Sequence, residues 1–227
     1  MRVIPAVTLA IGLAACHQDP GTPLAAAAAA GRIDHLRELL ARRADPEERD
    51  RHGWAPLHYA ARHGQVEAIA ALLAAGAFVD RPDTANGWTP LLHAVHKRQD
   101  AATRALLAAG ADPNGRGRGG PPPLLMAAGY GATTMVRALL ERGADPRAED
   151  RGINALWAAA GGGAIADITD GPKLGSCFPA VVDALLERAP DLRLPSGLET
   201  RVLSWLAWND ECSELLLRLQ RGGERSS

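Results

Sequence analysis

A short phrase built on Pro-Leu returns along this chain at almost constant intervals, and few architectures accommodate such a period. Thr22-Pro23-Leu24, Ala55-Pro56-Leu57-His58, Thr89-Pro90-Leu91, Pro122-Pro123-Leu124 and Asn154-Ala155-Leu156 open five segments offset by 33, 34, 33 and 32 residues. Each opening leads into small residues, as in Ala60-Ala61, Ala127-Ala128 and Ala159-Ala160, and usually to a glycine at the tenth place: Gly31, Gly64, Gly131, Gly163. A Leu-Leu pair and a Gly-Ala-Asp-like ending follow: Leu72-Leu73 to Gly76-Ala77, Leu106-Leu107 to Gly110-Ala111-Asp112-Pro113-Asn114, Leu139-Leu140 to Gly143-Ala144-Asp145-Pro146. Self-similarity at this spacing means one supersecondary unit stacked on itself.

The unit reads as a helix hairpin. Pro56 suits the first helical turn, where a missing N–H costs nothing, and Ala60 and Ala61 let a short inner helix pack closely on its neighbours. Gly64 breaks that helix. Val66, Ile69, Leu72 and Leu73 then supply the apolar stripe of an outer helix, which Gly76 ends in the conformation that glycine adopts most cheaply. No single hairpin of this size buries its own apolar face, so stability comes from stacking. The composition, 47% apolar and 4% aromatic, suits Ala/Leu packing in one elongated domain better than a sheet protein.

The period and the T-P-L-H-x-A opening resemble the ankyrin-repeat family over roughly residues 22–222. The resemblance implies an all-α solenoid: stacked helix hairpins joined by β-hairpin-like fingers, with five recognisable repeats and a degenerate C-terminal cap. It also implies a binding scaffold with no chemistry of its own. His58 stands at the T-P-L-H place, where the family's imidazole bonds to neighbouring backbone. His93 and His96 lie three apart but lack a companion Cys or carboxylate pattern, so a structural role outweighs zinc. Partners of the family meet the fingertips and the exposed ends of the inner helices. By that pattern the contact positions are Trp54, Arg62 and His63; Trp88, His96 and Lys97; Tyr130; Ile153; and, at the fingertips, Arg51, His52, Arg116 and Arg118. The concave side is therefore expected to be aromatic and mildly basic. Glu48, Asp50, Asp83, Glu149 and Asp150 dilute its charge.

The formal net charge of −1 favours neither nucleic acid nor an anionic membrane surface as a partner. Arg2 precedes an apolar stretch, Val3 to Leu13, too short to span a bilayer but suited to the core of a secretory signal. It ends in Leu13-Ala14-Ala15-Cys16, which resembles the lipobox of bacterial lipoproteins. That resemblance implies a signal peptide over 1–15, lipidation of Cys16, and, with His17 rather than Asp next, an outer-membrane anchor facing the periplasm. The tether 16–21 is short: the five residues after Cys16 reach roughly 17 Å at full extension.

The fifth repeat carries an insertion, 164–177. Its Asp167, Asp170, Gly171 and Lys173 lack the alternation and terminal Glu of a calcium loop. The last repeat places Trp205 and Trp208 in an apolar helix pair that reads as cap packing, followed by a tail, 223–227. With Cys16 lipidated, Cys177 and Cys212 are the remaining thiols, in an oxidising compartment that favours bridging. They fall at similar heights in neighbouring repeats. Regular stacking separates such positions by about 8–10 Å, too far for a bridge, so the insertion is expected to close the gap.

No nucleophile elbow, paired-carboxylate spacing, P-loop or metal motif is present, which points away from an enzyme, a cofactor or a small-molecule substrate. The leading expectation is a lipid-anchored module that binds another protein. An immunity or stress-protection accessory is a second class, distinguished by an adjacent toxin or stress-enzyme gene. A cytosolic or secreted scaffold is a third, distinguished by membrane fractionation.

Overall fold

The computed structural model describes residues 21–161, 177–195 and Cys212. Over these residues the chain forms ten helices in five antiparallel pairs and one two-stranded ladder. The inner row is α1 (Pro23–Ala29), α3 (Pro56–Arg62), α5 (Pro90–His96), α7 (Pro123–Gly129) and α9 (Ala155–Gly161); the outer row is α2 (Ile33–Ala41), α4 (Val66–Ala74), α6 (Asp100–Ala108), α8 (Thr133–Glu141) and α10 (Pro179–Arg188). Each inner helix packs on the next inner helix and each outer helix on the next outer one. The all-α solenoid that the resemblance implied is therefore the observed architecture.

Local chemistry explains the recurrence. Four inner helices start on proline, and two of them are capped by threonine: Thr22 Oγ1 accepts from Ala25 N at 3.2 Å and Thr89 Oγ1 from Leu92 N at 3.3 Å. Ala27, Ala28, Ala60, Ala61, Ala94, Ala127, Ala128, Ala159 and Ala160 are fully buried, which lets the inner helices approach closely. Behind them Leu36, Ile69, Leu72, Leu106, Leu139, Val181 and Leu185 run the core along the whole stack. The turn between inner and outer helix needs a left-handed residue, which Gly64 supplies at φ +74°. A Cβ there would also lie 2.4 Å from the Gln99 side chain of the next repeat.

The fingers project from the ends of the hairpins. Only the fourth carries strands among the described residues: β1 (Glu149–Asp150) pairs antiparallel with β2 (Ile153–Asn154), Glu149 opposite Asn154. Asn154 then donates to the Arg193 carbonyl at 2.7 Å, which holds the segment after α10 against the fifth repeat. Cys177 and Cys212 are joined by a disulfide with a Cα–Cα separation of 6.0 Å, closer than unmodified stacking allows. The expected signal peptide, Cys16 and most of its tether, residues 164–176 of the insertion, Trp205, Trp208 and the tail lie outside the described residues. No helix among the described residues is long and apolar enough to cross a membrane.

Candidate partner-binding surface

The concave side is built on two carboxylates that face inward. Asp50 Oδ1 accepts from the N–H groups of His52 and Trp54 at 2.8 and 2.9 Å, closing the first finger's turn, while its Oδ2 accepts from the Tyr59 hydroxyl. Asp83 repeats the device one unit on: Oδ1 accepts from Asn86 and Gly87 N–H at 2.8 and 3.1 Å, and His93 Nε2 donates to Oδ2 at 2.8 Å. Tyr59 and His93 both hold the fifth place of their repeat openings. Each finger is thus bolted to the inner helix that follows it.

His58 does what its place implies. Its Nδ1 accepts from Ala55 N at 3.0 Å, so the proton sits on Nε2, which donates to the Arg81 carbonyl of the next finger at 2.8 Å. Burial lowers its pKa. Burial also pushes His93 down to about 4, against the opposing pull of Asp83, so this ring too is neutral. The same burial raises Asp83, but the hydrogen bonds from His93 and Asn86 outweigh it and leave the carboxyl below its ordinary value.

A row of rings runs under the fingers. Trp54 lies 5.1 Å from Tyr59 and 4.1 Å from His93 between centroids, Trp88 lies 5.3 Å from His93 and 5.0 Å from His96, and His96 Nδ1 is hydrogen-bonded to Tyr130 Oη at 2.9 Å. Gly117 of the third finger lies against the Trp88 edge, where a Cβ would come within 2.3 Å of the ring. The Arg62 guanidinium stands 5.6 Å from the Trp54 centroid, within cation–π range.

The contact positions inferred from the family pattern divide under this geometry. Arg51, His63, Arg116 and Arg118 are exposed, and His52, Arg62, Trp88, Lys97 and Ile153 are half-buried. Trp54, His96 and Tyr130 are only 3%, 8% and 5% exposed. These three form the floor of the surface: Trp54 packs on Tyr59 and His93, and Tyr130 is hydrogen-bonded to His96, which lies against Trp88. Arg51 Nε donates to His52 Nε2 at 3.0 Å, and Arg116 reaches the Glu149 carbonyl of the next finger at 2.8 Å. Asp50 and Asp83, read from sequence as fingertip acids that dilute the charge, are buried and committed inside the fold. The absence of a local carboxylate pattern near His93 was misleading, since its partner lies ten residues upstream. The available signal was the Asp placed before the finger turn in two successive repeats, with a polar ring at the fifth place of each opening.

Family models for three-copy ankyrin repeats match residues 5–83, 24–117 and 76–150. The chain belongs to the ankyrin-repeat family. No curated protein is similar enough to the chain to count as a match. Ankyrin repeats generally mediate protein–protein interaction.

Proposed function

We propose that this ankyrin protein is a lipid-anchored, non-catalytic interaction module facing the periplasm, which engages a partner protein through its concave side. The observation that carries the reading is pre-organisation. Arg49 donates to Gly53 O at 2.7 Å and to Pro82 O at 3.0 Å, Arg118 N to Asn86 O at 2.8 Å, and Arg116 to Glu149 O at 2.8 Å, so four fingers are linked into one surface before any partner arrives. A surface already ordered loses less entropy on binding. The anchor rests on Leu13-Ala14-Ala15-Cys16; the Cys177–Cys212 bond supports an oxidising compartment and leaves Cys16 as the remaining thiol of three.

A photo-crosslinking residue tests the surface. Placed at Arg62 or Lys97 in cells, it is expected to give one discrete adduct, and placed at Arg37 or Arg104 on the outer helices it is expected to give none. Equal adducts from both sides, or none from the concave side, overturn the reading. For the anchor, Cys16→Ser is expected to accumulate as the longer, unprocessed and unlipidated form. Membrane recovery of that variant at wild-type size rules the anchor out.

A further inference from the structure

The chain as a whole is slightly acidic, yet its fingertips are not. At positions 49–52, 82–87 and 115–120, the tips of the first three fingers, the charged side chains are Arg49, Asp50, Arg51, Asp83, Arg116 and Arg118. The two carboxylates are buried and turned toward Tyr59 and His93. What remains at the surface is four guanidinium groups with no exposed carboxylate within these three stretches; the exposed acids Glu48, one residue outside the first tip, and Glu149, whose main-chain carbonyl Arg116 holds, flank them. None of the acceptors that hold these arginines is a carboxylate. Arg49 is bonded to the carbonyls of Gly53 and Pro82, Arg116 to the carbonyl of Glu149 and Arg51 to the His52 imidazole. A carbonyl orients a guanidinium but leaves its full charge unpaired, whereas a carboxylate would cancel it. The ion pairs of the finger region lie elsewhere, at Arg81–Glu47 and Arg147–Asp191.

We infer that the first three fingertips form a track for an acidic stretch of the partner protein, whose carboxylates meet Arg51, Arg116 and Arg118. The inference rests on the proposal of a protein partner and adds its chemistry. Burial of the aromatic floor decides between anions. Binding of single-stranded nucleic acid draws on exposed rings that bases stack upon. Here Trp54 is covered and the edge of Trp88 is occupied by Gly117, while the planar, fork-shaped donors left at the tips suit carboxylates.

The test uses the full-length protein, purified in mild detergent, and fluorescence anisotropy with an oligoglutamate peptide. Wild type is expected to bind it, with affinity falling roughly tenfold between about 50 and about 300 mM salt as screening shortens the reach of the tips. Arg51→Glu/Arg118→Glu leaves the Arg49 and Arg116 links between fingers intact and is expected to lower affinity at least roughly tenfold. Arg37→Glu/Arg104→Glu on the outer helices is expected to bind as wild type. If the Glu pair melts lower than wild type, Arg51→Gln/Arg118→Gln decides instead. Absence of binding at low salt, or equal binding by the fingertip variants, overturns the inference. So does tighter binding of oligothymidine or of anionic phosphatidylglycerol vesicles than of oligoglutamate. Crosslinking from Arg62 or Lys97 that persists after any of these results leaves the protein-partner reading standing and removes only its acidic character.

Discussion

At the scale of single residues, the chemistry of the concave side is that of neutral rings held under inward carboxylates. Trp54 packs on Tyr59 and His93 and is almost wholly buried, so Trp54→Ala is expected to cost about 3–5 kcal/mol of stability through the cavity it leaves. Denaturant titration by circular dichroism checks this; a stable variant with weakened partner binding instead would make Trp54 a contact residue. His93 sets the response to acid. Its folded pKa is about 4 against an ordinary 6.5, so as pH falls the unfolded chain takes up the proton first. Stability is full above about pH 6.5 and declines toward about pH 4, by up to about 3 kcal/mol from this group, with His58 acting in the same direction. Asp83, lowered, adds a further loss only as pH falls through its own folded value. His93→Gln keeps a donor for Asp83 and does not titrate, so its stability is expected to fall less over that range. Equal slopes for the variant and the wild type would place the acid sensitivity elsewhere.

At the scale of the element, the finger is where repeat identity and repeat function meet. Gly117 lies on the Trp88 edge, and Gly117→Ala is expected to push the third finger off the second and lower the melting temperature; Gly119→Ala, with nothing within 4 Å of its added carbon but a φ of +63°, bears only backbone strain. A similar loss for both would mean that backbone strain, and not the contact with Trp88, sets the cost at the third finger. The helices themselves were legible in the chain because proline, alanine pairs and the Leu-Leu stripe fall at fixed places, and each has one cheap structural use there. The fingers were not, since they lack a periodic apolar signal. Their form depends on which side of the turn Asp50 and Asp83 face, and that is settled by Tyr59 and His93 in the next helix. The same ambiguity hid the burial of Trp54. An aromatic residue beside a turn reads alike whether it meets solvent or the underside of a finger.

Across the whole molecule, stability runs through nearest neighbours, so the stack is expected to open from an end and not all at once. The Cys177–Cys212 bond closes a loop of 35 residues and is expected to hold the C-terminal end by roughly 3–4 kcal/mol in the chain-entropy description. Hydrogen exchange with and without reductant checks this: reduction is expected to speed exchange in α10 before α4, and identical exchange in both states would show that the bond carries no local stability. Two titratable thiols on oxidised, denatured mature protein would show that the bridge does not form. The bridge has a second consequence, of topology. A protease that cuts once between positions 177 and 212 separates no fragment from the body. The clipped molecule gains the mass of a water and a new pair of termini while remaining one covalent particle, and the cut becomes visible on a denaturing gel only once a thiol is added.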